Sequence, residues 1–325
     1  MEQIIFFGGG KLLFSIITLL KKKKNIDILV FSSKRHLSEK IEGNKSLKNL
    51  LQEKKCNCIK TEKVNLNLIK KQIKFKNFIG VSIGSSWIFK DDIINFFKRK
   101  IYNIHGSNLP EDKGGGGFTW QILQKKTLGY ISIHHLTPKI DEGNIILKSF
   151  FKLTNKTTPL DINNLYVLKA SKLFIEFLSK IKMRKKIKEI KQNKDNSSYW
   201  PRLNTETHGW INWDWTGDEI YTFLRGFDDP YPGAHTTING NKVYLKKGKL
   251  NKKFKFHPFQ YGLIFRKNKY GLWICVKNGC LVVEKVLDNN KKPYNKKLIK
   301  LGDRFYTPHI YLEKAKKQRV YFHLK

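Results

Sequence analysis

The segment QIIFFGGGKLLFSIITLL, residues 3–20, decides the architecture. Three glycines divide it into two apolar runs. A membrane-crossing helix needs about 20 apolar residues in succession, and this stretch is a little short, contains Lys11 and is broken by Gly8, Gly9 and Gly10. A secretory leader carries its positive charge ahead of its apolar run, yet here Glu2 precedes it and Lys21 to Lys24 follow it. What remains is a short buried strand, a glycine turn and the start of an amphipathic or buried helix. The chain is therefore expected to be cytoplasmic, with no membrane partner.

Outward from that unit the same alternation continues. IDILVFSS (26–33) reads as a second strand, SLKNLLQEK (46–54) as a helix, NLIKKQI (67–73) as a possible helix, and NFIGVSIG (77–84) and KIYNIHG (100–106) as further strands. TWQILQKK (119–126) opens a helix, and a helical pattern runs from about 162 to 190, with Leu165, Leu168, Leu173, Phe174, Phe177 and Ile181 apolar between charges. Strands alternating with helices imply an α/β fold with a Rossmann-like parallel or mixed sheet, whose ligands bind beyond the carboxyl ends of the strands. The glycine turn is not a dinucleotide fingerprint: Leu13 stands where the third glycine belongs, and the second strand ends without a ribose-binding carboxylate. KQNKDNSSYWPRLNTETHG (191–209) is polar and rich in breakers, as a domain linker would be. Beyond it, NKVYLKKG, QYGLIFRK, YGLWICV and CLVVEKVL are short strand-like runs separated by turns, the pattern of a small antiparallel barrel. The expected division is 1–200 and 201–325.

Composition sets bounds without naming a partner. The 325 residues carry 64 Lys and Arg against 26 Asp and Glu, a net charge of +38. Such an excess ordinarily points to nucleic acid, membrane or an anionic ligand; here it is nearly all lysine and spread along the chain, so a compositional bias and an anionic partner are equally good accounts. Cys56, Cys58, Cys275 and Cys280 lack zinc spacing and are read as reduced, packed thiols. No metal is expected.

The chemistry lies in NIHGSNLPEDKGGGGFTWQIL, residues 103–123. Residues two apart on a strand share a face, so Asn103 and His105 enter one cleft, and Asp141 in the loop TPKIDEG is placed to join them. That set suits acyl transfer to an amine. His105 would take the amine proton, Asp141 would support the imidazole, and Asn103 would donate to the developing oxyanion. Read alone, the same three residues are as well explained as satisfied polar groups and a turn aspartate. Gly114, Gly115, Gly116 and Gly117 fit close approach of backbone to a ligand or a sharp strand-to-helix turn.

With GYISIHHLTPKIDEGNIIL (129–147), the central segment resembles the catalytic core of the 10-formyltetrahydrofolate-dependent formyltransferases. The family's Asn, His and Asp fall on Asn103, His105 and Asp141, and its Leu-Pro and glycine turn on Leu109, Pro110 and Gly114. A second resemblance, GWINWDWTGDEIYTFLRGFDDPYPGAHTTINGNKVYL (209–245), is to the carboxyl-terminal domain of two-domain members. The resemblance implies 10-formyltetrahydrofolate as cosubstrate, a formyl-folate-binding domain followed by a smaller OB-like barrel, and a folate pocket lined by the segment 82–89 and the loop 137–142. Ser85, Trp87, Ile88, Phe89, Thr137, Ile140 and Asp141 are the residues implied there. Gly8, Gly9, Gly10, Ser107, Leu109, Gly114, Gly115, Gly116, Gly117, Phe118 and Trp120 are implied on the acceptor side. The chain departs from the tRNA-formylating branch in KRHLSEKIEGNKSLKNLL (34–51) and in DKGGGGFTW (112–120). These departures favour a nucleotide-linked amino-deoxysugar of surface-polysaccharide synthesis as acceptor; tRNA is the alternative, and a non-catalytic RNA-binding protein keeping the fold a remote one. Homodimers are common among the resembling sugar enzymes.

Overall fold

The structure is a computed structural model and describes residues 2–23, 25–85, 87–183 and 187–320. Seven strands form the principal sheet: β1 (Glu2–Gly8), β2 (Ile26–Ser32), β3 (Asn57–Lys60), β4 (Phe78–Ile83), β5 (Ile101–His105), β6 (Leu128–His135) and β7 (Ile145–Lys152). Their spatial order is β7-β6-β5-β4-β1-β2-β3. The pairs β1-β2, β1-β4, β2-β3 and β4-β5 are parallel, while β6 and β7 run antiparallel at one side. The sheet is mixed.

The first unit folds as its pattern requires. Ile4 and Phe6 point to one face of β1 and pack with the helix α1 (Gly10–Leu20), while Ile5 and Phe7 point to the other and pack with Phe89, Ile93 and Phe97. The alternation of successive side chains thus loads both faces of one buried strand. Between strand and helix the backbone turns at Gly8, whose φ is +122° and where a Cβ would stand 2.1 Å from the Ile83 carbonyl oxygen. No side chain fits there.

On the Ile4 face, α1 lies beside a long helix, Pro159–Lys182, opened by a reciprocal Thr158–Asp161 capping box with proline in its first turn. Of its expected apolar positions Leu173, Phe174 and Phe177 are buried, but Leu168 is 54% exposed. The helix ends at Lys182, before the expected 190, and positions 184–186 of the expected run lie outside the described residues. A shorter helix, α2 (Gly117–Leu123), follows the four glycines. Helices here are numbered with the long one as α3.

The expected linker is structured on both sides of its middle. Tyr199–Trp200 pairs in parallel with Lys113–Gly114, binding this segment to the glycine turn. After the short helix Thr205–His208 comes α4 (Gly217–Gly226), then an antiparallel sheet of β8 (Ala234–Ile238), β9 (Asn241–Asn251), β10 (Ile264–Asn268), β11 (Gly271–Val276) and β12 (Gly279–Leu287), in the order β8-β9-β12-β11-β10. The four expected strand runs fall on β9 to β12. This smaller sheet has its own core, including Ile220, Phe223, Leu245, Ile274 and Phe305. The sheet order is open, with single bridges from Tyr306 to β8 and from Arg304 to the start of β10. Cys275 and Cys280 are buried, and Cys56 and Cys58 half-buried; all four are free thiols. No helix among the described residues is long and apolar enough to cross a membrane.

Candidate functional site

Parallel pairing sets Ser82 beside Asn103 and Ile83 beside Ile104, so Asn103 and His105 emerge at the carboxyl edge of β5. The loop after β6 brings Asp141 to them. Its φ of +53° is a left-handed conformation that aspartate tolerates better than most side chains. Asp141 Oδ1 lies 3.4 Å from Asn103 Nδ2, 3.7 Å from His105 Nδ1 and 3.6 Å from His134 Nε2. Its Oδ2 accepts from the Gly114 N–H at 3.0 Å. Burial alone would raise the Asp141 carboxyl, but the neighbouring His105 and His134 imidazoles and the Gly114 N–H outweigh it and hold the group well below the usual carboxylate range. At working pH it is a fixed negative charge.

The hydrogen bonds orient each partner. His134 Nδ1 is 2.8 Å from the His135 carbonyl, which can only accept, so Nε2 of a neutral His134 carries the lone pair. Asn103 Nδ2, 3.1 Å away, donates to it. Both Asn103 donors are thereby directed at His134 and Asp141, the contact with Asp141 being the longer. His105 Nε2 lies 3.0 Å from the Asp112 carbonyl and 2.6 Å from Ser107 Oγ. Ser107 in turn donates to that same carbonyl. An Nε2–H of His105 is therefore satisfied, and its Nδ1 lone pair faces Asp141 across a gap wider than a hydrogen bond.

Several of these groups were not legible as site residues. His134 is buried and reads as one more strand residue beside His135. Asp112 contributes its backbone oxygen, while its carboxylate is held by Lys126 Nζ at 2.7 and 2.6 Å. Gln192, in the expected linker, donates to the carbonyls of Asp141 and Gly143 at 2.8 and 2.7 Å and so fastens the loop. No spacing rule links position 192 to 141.

The family model for formyl transferase matches residues 2–178, and that for the formyl transferase C-terminal domain matches residues 204–302. The chain belongs to the formyl transferase family. Methionyl-tRNA formyltransferase of Bacillus velezensis is 28% identical over 238 residues, 72% of this chain and 73% of that protein. The bifunctional polymyxin resistance protein ArnA of Wigglesworthia glossinidia brevipalpis is 29% identical over 188 residues, 58% of this chain but 28% of that much longer protein. Among solved structures, the sugar 3N-formyl transferase WlaRD, in the presence of dTDP and 5-N-formyl-THF, superposes with a TM-score of 0.66 at 24% identity, covering 87% of this chain and 97% of that one. The N-formyltransferase of Helicobacter canadensis, in complex with folinic acid and dTDP-3-aminofucose, has the same TM-score at 21% identity and covers 87% and 98%. At these identities the structural likeness speaks for the fold.

In this formyl transferase the remaining residues singled out from the sequence have unequal surroundings. Ile88 and Ile140 are 50% and 47% exposed, apolar side chains left open to solvent beyond the sheet edge. Trp87 donates Nε1 to the Glu62 carbonyl, Ser85 Oγ accepts from the Trp87 N–H, and Thr137 Oγ1 donates within its own loop to the Lys139 carbonyl. Phe89 is buried against Phe7, in the core, and Ser86 of the same segment lies outside the described residues. Leu109 is buried, with Lys148 Nζ donating to its carbonyl oxygen. Gly114 has φ +98° and leaves no room for a Cβ against the Trp200 carbonyl oxygen, 2.3 Å away. Gly116 caps α2 in a left-handed conformation, and Gly117 begins the helix. Phe118 packs edge-on to Tyr166, while Trp120 donates to the Pro201 carbonyl and lies against Trp200. The glycine run is thus a seam on which the segment after residue 198 is laid.

Proposed function

We propose that the chain transfers a formyl group from 10-formyltetrahydrofolate to the primary amine of a nucleotide-linked amino-deoxysugar, a step of surface-polysaccharide synthesis. The observation that carries the reading is the convergence of Asn103, His105 and Asp141 at the carboxyl edge of β5, with both imidazole nitrogens of His105 accounted for. The formyl-folate supplies an amide-like carbonyl whose C–N bond is exchanged for a bond to the acceptor nitrogen. The exposed apolar faces of Ile88 and Ile140, with Trp87 and the 137–142 loop, suit a flat pterin and would hold it. Attack by a neutral amine leaves a proton to be removed, and His105 accepts it at Nδ1, toward the Asp141 charge. That proton then serves the departing folate nitrogen. Asn103 turns its longer, weaker donor contact from Asp141 to the developing oxyanion. Residues up to about 200 carry the folate and the reacting groups; the remainder, whose Tyr306 and Arg304 bridges draw the edge strands toward a barrel, orients the acceptor or supports the structure.

A second reading, methionyl-tRNA formyltransferase, is favoured by the curated relatives of that name and by the match to the C-terminal domain. Single-turnover assays with 10-formyltetrahydrofolate and a panel of charged initiator tRNA and dTDP- or UDP-linked 4-amino and 3-amino sugars test both. Formylation of a sugar nucleotide and not of tRNA is expected. Formylation of tRNA alone would replace the first reading with the second, and a panel with no product and no folate binding would defeat both.

A further inference from the structure

One carboxylate oxygen of Asp141 is held by a short bond and the other is not. Oδ2 accepts from the Gly114 N–H, whereas Oδ1 makes only long contacts, 3.4 to 3.7 Å, with Asn103, His134 and His105. The groups that Asp141 serves therefore do not fix it, and its backbone must. That backbone is in a left-handed conformation, which persists in a residue with a Cβ only where the surroundings over-determine it. Gln192 supplies part of that constraint at the carbonyls of Asp141 and Gly143. Between those two residues stands Glu142, and Lys113 reaches it from the position before Gly114.

Lys113 has no part in the chemistry described so far, yet it is buried. Its Nζ lies 3.7 Å from Glu142 Oε1, with the lysine side chain 7% and the glutamate 35% exposed. The other oxygen of Glu142 is 4.0 Å from Nζ of Lys139, an exposed side chain whose charge water screens. Withdrawing an ammonium from water is costly, and a methionine would fill nearly the same space without that cost. A charge kept in so closed a place has a partner to hold. The backbone of Lys113 is itself anchored: its N–H donates to the Ser198 carbonyl at 3.0 Å, and Lys113–Gly114 pairs with Tyr199–Trp200.

Successive residues of one short strand thus grip successive residues of one loop, Gly114 by its N–H at Asp141 and Lys113 by its side chain at Glu142. Resting on the formyl-transfer reading above, we infer that Lys113 is a positioning residue, which through its ion pair with Glu142 seats the Asp141 loop against the glycine turn. It acts on the reaction only through where Asp141 comes to rest. A misplacement of about 1 Å at a reacting centre can cost ~100-fold in rate. With Gly114 and Gln192 still holding the loop, loss of the Lys113 contact forfeits a part of that. The Asn103 contact, at 3.4 Å already near the limit of a hydrogen bond, is the first that a small shift would break.

Single-turnover formyl transfer by the full chain, to whichever amine of the panel wild type formylates, tests this in Lys113→Met, Lys113→Arg, Glu142→Gln and the Lys113→Met/Glu142→Gln double variant. Affinity for 5-formyltetrahydrofolate and the thermal midpoint are measured apart. Lys113→Met is expected to slow transfer ~5- to 20-fold with folate affinity within ~3-fold of wild type, and Lys113→Arg, which keeps the charge, to stay within ~3-fold in rate. Glu142→Gln should lose as much as Lys113→Met and the double variant no more than either, because one contact can be removed only once. Hydrogen exchange across residues 138–146 should be ~5-fold faster in Lys113→Met than in wild type. A Lys113→Met rate within ~2-fold of wild type overturns the inference, as do single losses that multiply in the double variant, or a loss lying wholly in folate affinity or in the thermal midpoint. If wild type formylates no amine, the function falls while exchange still decides the inference: faster exchange across 138–146 keeps the contact in its role, and unchanged exchange removes it.

Discussion

Replacing Asp141 with Asn tests the reacting centre most directly. The change keeps the volume and leaves an oxygen to accept from the Gly114 N–H, so loop placement should survive. What it removes is a negative charge 3.7 Å from His105 Nδ1, between side chains only 12% and 14% exposed. When His105 takes the amine proton, that charge stabilises the imidazolium. Two unit charges about 4 Å apart interact by about 4 kcal/mol at an effective dielectric of 20, and partial solvation at the cleft mouth lowers this toward about 2 kcal/mol. The expected result is a loss of ~30- to 10³-fold in the rate of transfer. Single-turnover formyl transfer at saturating folate, with folate affinity and thermal midpoint measured separately, isolates the chemical step. A rate within ~5-fold of wild type with folate bound normally would refute the charge argument. A loss confined to folate affinity would instead make Asp141 a pocket residue.

Gln192→Ala removes the donor shared by the Asp141 and Gly143 carbonyls; with each bond worth about 1 kcal/mol, the thermal midpoint should fall by a few degrees and transfer should slow by ~10-fold, and an unchanged rate would show that the loop holds itself. Glu206 gives a stability signature at acid pH: burial would raise its carboxyl, but Lys242, Tyr244 and Lys291 hold it at about 2 against an ordinary 4.5. Because the folded value is the lower, its contribution is full above about pH 4.5 and is lost as pH falls through 2. Glu206→Gln should flatten that part of the stability profile, with a difference under ~1 kcal/mol at neutral pH because the side chain is 46% exposed, and an identical acid slope in both proteins would count against it. Phe174→Ala, at a fully buried ring between Phe6 and Phe177, should cost ~3 to 5 kcal/mol in denaturant unfolding, and a cost below ~1 kcal/mol would contradict the packing described.

The sequence carried local information well and the seam between its halves poorly, for a physical reason. A strand, a glycine turn and a helix declare themselves by periodicity within 20 residues, and QIIFFGGGKLLF does so because both faces of β1 are buried. Asn103 and His105 were legible as a pair because the two-residue repeat of a strand fixes their common face. Asp141 came within reach through its loop, but the atoms that orient His105 did not. One is the backbone oxygen of Asp112, which has no residue-type signature, and another is Ser107, which was singled out on the acceptor side but not as a partner of His105. Residues 191–209 were misleading in the opposite sense. Polar side chains and breakers there describe a segment whose hydrogen bonds are made by its backbone and by single side chains, the Trp200 and Ser198 carbonyls to the glycine turn and Gln192 to the Asp141 loop. A linker and a wall laid against the site have the same composition, because both lack an apolar face. They differ in which distant backbone groups they satisfy, and that pairing exists only once the two glycine turns have brought residues 8–10, 113–117 and 199–203 to the same edge of the sheet.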